Sequence, residues 1–130
     1  MSGVIDHVGL KVADFERAFA FYREALGTLG IKVLSEFSFG ADRHAGFGKE
    51  KPDFWIGTSD LQRGGAHVAF LAGSRAEVDA FHSVALSMGG RDNGGPGLRA
   101  HYHPHYYAAF VFDLDGNNIE AVCHKPAGVP

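Results

Sequence analysis

The sequence predicts an α+β fold of two repeated β-α-β-β-β modules that form an open, incomplete barrel. Three observations carry this prediction. His7-Val8-Gly9-Leu10 and His67-Val68-Ala69-Phe70 lie in two apolar runs offset by sixty residues, about half of the 130-residue chain. Asp14 and Ser74 follow at the same offset, and each opens a segment of helical periodicity that ends at glycine. Short runs of strand character, separated by turn residues, complete each half. Self-similarity at a fixed period constrains architecture before any single residue does, because each unit hides its apolar face against its neighbour.

The elements follow in order. Ile5 to Val12 is rich in apolar and β-branched residues and reads as a strand. Asp14 is a good N-cap, since its carboxylate can accept the free amide hydrogens of a first helical turn. Phe15, Ala18, Phe19, Tyr22, Ala25 and Leu26 recur at the spacing of one helix face, and Gly27 or Gly30 ends the helix. Strands are expected over Lys32 to Phe39, Arg43 to Gly48 and Asp53 to Thr58. In the second half, Gly65 to Leu71 is a strand, and Ser74-Arg75-Ala76-Glu77 has the capping-box pattern. Val78, Phe81, Ala85 and Leu86 form the apolar face of a second helix that Gly89-Gly90 terminates. Asp92 to Gly97 reads as a glycine-rich loop over or beside a site, and Arg99 to His103 as a weak strand. Tyr106 to Phe112 and Asn118 to His124 are strong strands, with Asp113-Leu114-Asp115-Gly116-Asn117 as the turn between them. The whole is one domain, 1–130, with modules at 1–60 and 65–125.

Composition narrows the function classes. A hydrophobic share of 45% and a charged share of 21% are those of an ordinary globule with a sizeable core. The formal net charge is -3 with both signs interspersed, which argues against a nucleic-acid groove or an anionic membrane as partner. Cys123 has no second cysteine to pair with, and the N-terminus shows no basic region followed by an apolar one. The expected location is therefore the reducing cytoplasm, and the expected ligand is a small molecule held in the cup of the two sheets.

Three side chains stand out chemically. His7 and His67 occupy the same position of the first strand in each module, so a pseudo-twofold would aim both into one cup. Glu120 sits in the apolar stretch Ile119-Glu120-Ala121-Val122, where alternation turns it to the face opposite Ile119 and Ala121. A carboxylate there is costly to bury unless it is paired or binds a metal. Two imidazoles and a carboxylate suit a first-row divalent metal with open positions left for substrate. Taken singly, each histidine reads more simply as a hydrogen-bonded polar residue of a mixed core. His101 and His103 are the candidates for proton transfer at the cup mouth, although Pro104 argues for a bulge or edge, and a solvated histidine-rich loop is the plainer reading. Arg43, Arg63 and Arg99 could bind an anionic substrate group. Tyr106, Tyr107, Phe110 and Phe112 read as core and pocket wall.

These features resemble the vicinal oxygen chelate superfamily, which includes glyoxalase I, extradiol dioxygenases, fosfomycin-resistance enzymes and bleomycin-resistance proteins. The resemblance covers nearly the whole chain. It rests on Ile5-Asp6-His7-Val8, on the paired modules, on His67-Val68-Ala69-Phe70, and on Asp113-Leu114-Asp115-Gly116-Asn117-Asn118-Ile119-Glu120. It implies a glyoxalase-like fold. It also implies His7, His67 and Glu120 as ligands of a divalent metal ion (Fe, Mn, Zn or Ni) that chelates two neighbouring substrate oxygens, and a homodimer whose cups draw on one chain or on two. Glyoxalase I has a fourth ligand where repeat alignment here places Trp55, with Asp53 the nearest carboxylate but two residues out of register. Extradiol dioxygenases have three ligands, but carry a tyrosine where this chain has Phe110, and a turn proline where it has Leu114. The expected function is that of a metal-dependent lyase, isomerase or dioxygenase acting on a small oxygenated substrate. The alternative is a metal-free protein that sequesters a small molecule, as bleomycin-resistance proteins do.

Overall fold

The structure, a computed structural model, describes residues 5–58 and 64–129. Arg63 and most of the linker between the modules lie outside the described residues. The first module contains β1 (Val8–Lys11), α1 (Phe15–Gly27), β2 (Lys32–Phe39), β3 (Asp42–Gly48) and β4 (Phe54–Gly57). The second contains β5 (His67–Leu71), α2 (Arg75–Ser87), β6 (Arg91–Asp92), β7 (Gly97–Leu98), β8 (Tyr107–Phe112) and β9 (Asn118–Cys123). Each module forms its own mixed sheet, in the orders β1-β4-β3-β2 and β5-β9-β8-β6, with β7 also on β8.

The repeat is kept to the residue. In the first sheet β1 runs parallel to β4 with Gly9 opposite Trp55, and in the second β5 runs parallel to β9 with Ala69 opposite Glu120. The two helices cover one face of the sheets. One apolar core runs from Leu10, Phe21 and Phe54 in the first module to Phe70, Val78, Phe81 and Ile119 in the second. Alternation then leaves the opposite face open: His67, Ala69 and Leu71 of β5 are exposed while Phe70 is buried.

Both helices start where the caps predict. Asp14 accepts from the Arg17 amide and Ser74 from the Glu77 amide. The reciprocal half of the capping box is displaced by one residue, since the Glu77 carboxylate accepts from Gly73 N at 2.8 Å. One expectation changes here. Arg99 to His103 is a turn and not a strand: the amides of Tyr102 and His103 both point to the Arg99 carbonyl, and Tyr106 N donates to His103 O. Local amide-to-carbonyl closure around Pro104 wins over strand pairing there. Phe21, Phe47 and Phe54 are fully buried, while Phe37 and Phe39 are exposed.

Within one chain no strand of one sheet pairs with a strand of the other among the described residues. The modules are joined instead by α1 on α2, by the Phe54 ring against Phe70 at 5.0 Å, and by a polar joint. That joint is the 113–117 turn. Buried Asp113 accepts from Asp115 N, Asn117 N, Asn117 Nδ2 and the Tyr22 hydroxyl of α1, while Asp115 accepts from Ala13 N. Edge strands β1 and β5 face a cleft of about 630 Å³ lined by Val8, Phe54, Val68 and Leu71.

Candidate functional site

Glu120 is the centre of the candidate site, because it is a carboxylate 1% exposed in the middle of β9. Register sets its neighbours. Phe110 of β8 stands directly opposite, and β5 runs on the other side. The His67 ring lies on the same face, and its Nε2 is 2.9 Å from Glu120 Oε1. The Tyr106 hydroxyl donates to Glu120 Oε2. Burial, and then this hydrogen bond to the carboxylate, push the Tyr106 phenol up to about 12, so it stays a donor at neutral pH. Phe110 closes the group, edge-on to His67 with ring centroids 6.3 Å apart. Both carboxylate oxygens are thus satisfied, which is what a buried charge requires.

The structure brings two of the three expected ligands together. His7 lies before the start of β1, its side chain 60% exposed, with Nδ1 2.8 Å from Asp6. Asp6 in turn binds Lys51, and hydrogen bonds from Lys51 and His7 hold its carboxyl down at about 2. Among the described residues no three His, Cys, Asp or Glu side chains are grouped to hold an ion. The 2.9 Å His67–Glu120 contact is a hydrogen bond, and two donors bound side by side at roughly 2.0–2.2 Å from one ion would also lie about 3 Å apart.

His101 and His103 lie on the exposed 99–106 turn. The His101 ring packs on Tyr102 at 4.2 Å, and His103 Nδ1 accepts from the His105 amide. His103 also meets His124 at 5.6 Å, and His124 meets Tyr106 at 5.3 Å. Tyr106 is the residue of this turn that reaches Glu120. Sequence reasoning missed it as a site residue. The signal was available in the hairpin register: with Phe110 opposite Glu120, Tyr106 shares that face by parity.

The first module presents something different at the equivalent place. Trp55, matching Glu120 in register, donates its indole N–H to Pro52 O at 3.0 Å. Phe37 stacks on His44 at 4.9 Å and meets Trp55 at 5.9 Å. Gly46 and Gly57 leave room for these rings: a Cβ at Gly46 would come 2.8 Å from the indole, and one at Gly57 2.6 Å from His44 Nδ1.

A family model described as the Glyoxalase/Bleomycin resistance protein/Dioxygenase superfamily matches residues 4–121. The chain belongs to this superfamily. The superfamily fold is matched in solved structures. A glyoxalase/bleomycin resistance protein from Albidiferax ferrireducens T118 is 29% identical, covering 95% of this chain and 100% of its own, with a TM-score of 0.74. Glyoxalase I from Zea mays is 22% identical with a TM-score of 0.71; 92% of this chain matches 45% of that one, so the chain spans about half its length. A glyoxylase/bleomycin resistance protein/dioxygenase domain from Frankia sp. EAN1pec is 19% identical over 96% of this chain, with a TM-score of 0.69. The search of curated proteins gave no match. No described helix is long and apolar enough to cross a membrane.

Proposed function

We propose that this superfamily member is a metal-dependent enzyme of the glyoxalase/dioxygenase type acting on a small oxygenated substrate. The observation that carries the reading is the His67–Glu120 pair, an imidazole and a buried carboxylate 2.9 Å apart on one sheet face. When bound, a divalent metal would supply Lewis-acid polarisation of substrate oxygens. Glu120 and His67 would hold it, with His7 as third ligand. Tyr106 fixes the rotamer of Glu120 through its hydroxyl, and Phe110 keeps water from the opposite side of the pair. His101 and His103, on the turn next to Tyr106, are the groups we assign to proton transfer with bulk solvent.

The placement of His7 supports a homodimer in which each cup is built from two chains. Among the described residues β1 and β5 are both sheet edges, each with one ladder neighbour, and open edges are normally covered. Pairing β1 of one copy with β5 of another would join the two sheets and bring His7 towards the other copy's His67 and Glu120. The metal test is direct. Glu120→Gln and His67→Ala should each weaken Zn(II) or Ni(II) affinity at least as much as the roughly 10–100-fold typical of disturbing a ligand's support. Wild-type affinity in both variants, by competition titration, would remove the metal from the reading.

A second reading rests on the Phe37, His44 and Trp55 rings, which offer a stacking surface where the second module has its carboxylate. It is metal-free sequestration of a flat small molecule. Quenching of Trp55 fluorescence by a planar ligand in chelator-treated protein, with Glu120→Gln having no effect, would favour it.

A further inference from the structure

The glycine-rich stretch 94–97 has a physical task in this structure, and it concerns Arg99. The Arg99 backbone N–H donates to Tyr106 O at 2.7 Å, which places the residue beside the Tyr106–Glu120 contact. Its guanidinium lies over the Phe110 ring, 5.3 Å from the centroid. Nη1 donates to Gly97 O at 2.8 Å and Nη2 to Gly95 O at 3.0 Å. Phe110 is the ring that stands opposite Glu120 and meets His67 edge-on. Cation, ring and His67–Glu120 pair are therefore contiguous on one face.

The loop is shaped around this cation. Gly94 has φ +142°, which side-chain-bearing residues rarely adopt, and a Cβ there would come 3.0 Å from Nη2 and 3.2 Å from Phe110 Cδ1. A Cβ at Gly97 would come 3.3 Å from Nη1. Charge separates Arg99 from Arg43, the other candidate arginine among the described residues. Arg43 is committed to Glu16 and Glu36 and lies over Phe15. No carboxylate among the described residues pairs with half-buried Arg99. Two carbonyl oxygens orient its fork but do not neutralise it, and its remaining donors are available. A planar guanidinium held in one orientation matches the two oxygens of a carboxylate or phosphate, and fixing it in advance lowers the entropy lost on binding.

We propose that Arg99 is the anion-binding residue of the site and takes the carboxylate or phosphate group of the substrate, whose other oxygens then lie towards His67 and Glu120. This names the substrate class for the proposed function and rests on that reading only for the metal.

The test uses the full-length chain stripped of metal, with glycolate, its neutral amide glycolamide, and methyl phosphate as probes. Binding is followed by calorimetry and by the imidazole NMR signal of His67. At least one anion should bind, and glycolamide should bind at least about tenfold more weakly than that anion, as expected when a charge-assisted pair is lost. Arg99→Gln should abolish the preference. Gly94→Ala, which keeps every charge, should reduce it several-fold by unseating the guanidinium, and it serves if Arg99→Gln fails to fold. Arg91→Gln, which removes the neighbouring cation over Phe112, should change binding less than about twofold, as for a screened surface charge. Stronger binding of glycolate assigns the group as carboxylate, and of methyl phosphate as phosphate; both support the proposal. Equal binding of acid and amide, failure of both anions to bind, or unchanged binding in Arg99→Gln overturns it. Glu120→Gln separates the two readings: loss of metal affinity with anion preference retained is expected, and a wild-type metal affinity would refute the metal centre while leaving the Arg99 result standing.

Discussion

Tyr22 and Asp113 show how much one contact can hold at the level of single residues. The Tyr22 hydroxyl donates to Asp113 Oδ2 across the module boundary, with both side chains buried. Burial first, and then the Asp113 charge, raise the Tyr22 phenol well above its ordinary value of 10.0. Tyr22→Phe should cost about 1–3 kcal/mol, the range for leaving a buried polar partner short of one bond, read from urea unfolding. The sign of the pH effect follows. The folded protein keeps the Tyr22 proton to higher pH than the unfolded chain, so its contribution is complete below pH 10.0 and is lost as pH rises from there towards the raised folded value. The stability of Tyr22→Phe should therefore fall less steeply above pH 10.0 than that of the wild type, and parallel curves would refute the assignment. Asp113 also shows what was legible at this scale. The sequence marked Asp113 to Asn117 as a hairpin turn, but the partner of Asp113 lies in α1, and no local pattern encodes that. Glu120 stood out by its apolar surroundings, whereas the contact to Tyr106 needed the register of β8 on β9.

Secondary elements were the most legible level, because their signals are local. Asp14 and Ser74 begin both helices as expected, and β2 spans Lys32–Phe39 as expected. Removing the Ser74 oxygen tests the α2 cap. Ser74→Ala should destabilise by about 1 kcal/mol, with a lowered thermal midpoint and the spectrum of the folded state unchanged. The same substitution at exposed Ser83, inside the helix, should be close to neutral. The failures at this scale have a physical pattern. The first strand begins at Val8 and not at Ile5, because ladder pairing with β4 starts at Phe54. His7 therefore falls before the ladder, while His67, its repeat equivalent, is the first residue of β5. The 99–106 segment alternates like a strand in sequence, but its amides close local turns. The stretch Gly97–Leu98 just before it does pair with β8.

At the scale of the whole molecule, two modules share one core, yet among the described residues their sheets are not joined. Phe15, Phe21, Phe47 and Phe54 are buried within the chain and so do not call for a partner. The proposed dimer rests instead on the edges β1 and β5, on exposed Leu71 of β5, and on Phe37 and Phe39 of β2. Light scattering at micromolar concentration should give twice the chain mass of 13.9 kDa, and a monomer mass would remove the dimer. If each cup is built from two chains, mixing His7→Ala with Glu120→Ala should restore metal binding to a fraction of cups in the mixture. Absence of any recovery would place His7, His67 and Glu120 of a cup in one chain.

The sequence by itself determined the modular fold, the helix limits and the contrast of Glu120 with its apolar strand. These rest on periodicity, capping and the cost of a carboxylate in an apolar strand, all of which act over a few residues or repeat along the chain. Tertiary structure alone decided that Tyr106 closes on Glu120, that Arg99 rather than Arg43 carries an uncompensated charge, and that His7 stands apart from His67. Those outcomes depend on which strands become neighbours and in what register, and that is settled by packing between residues distant in the chain.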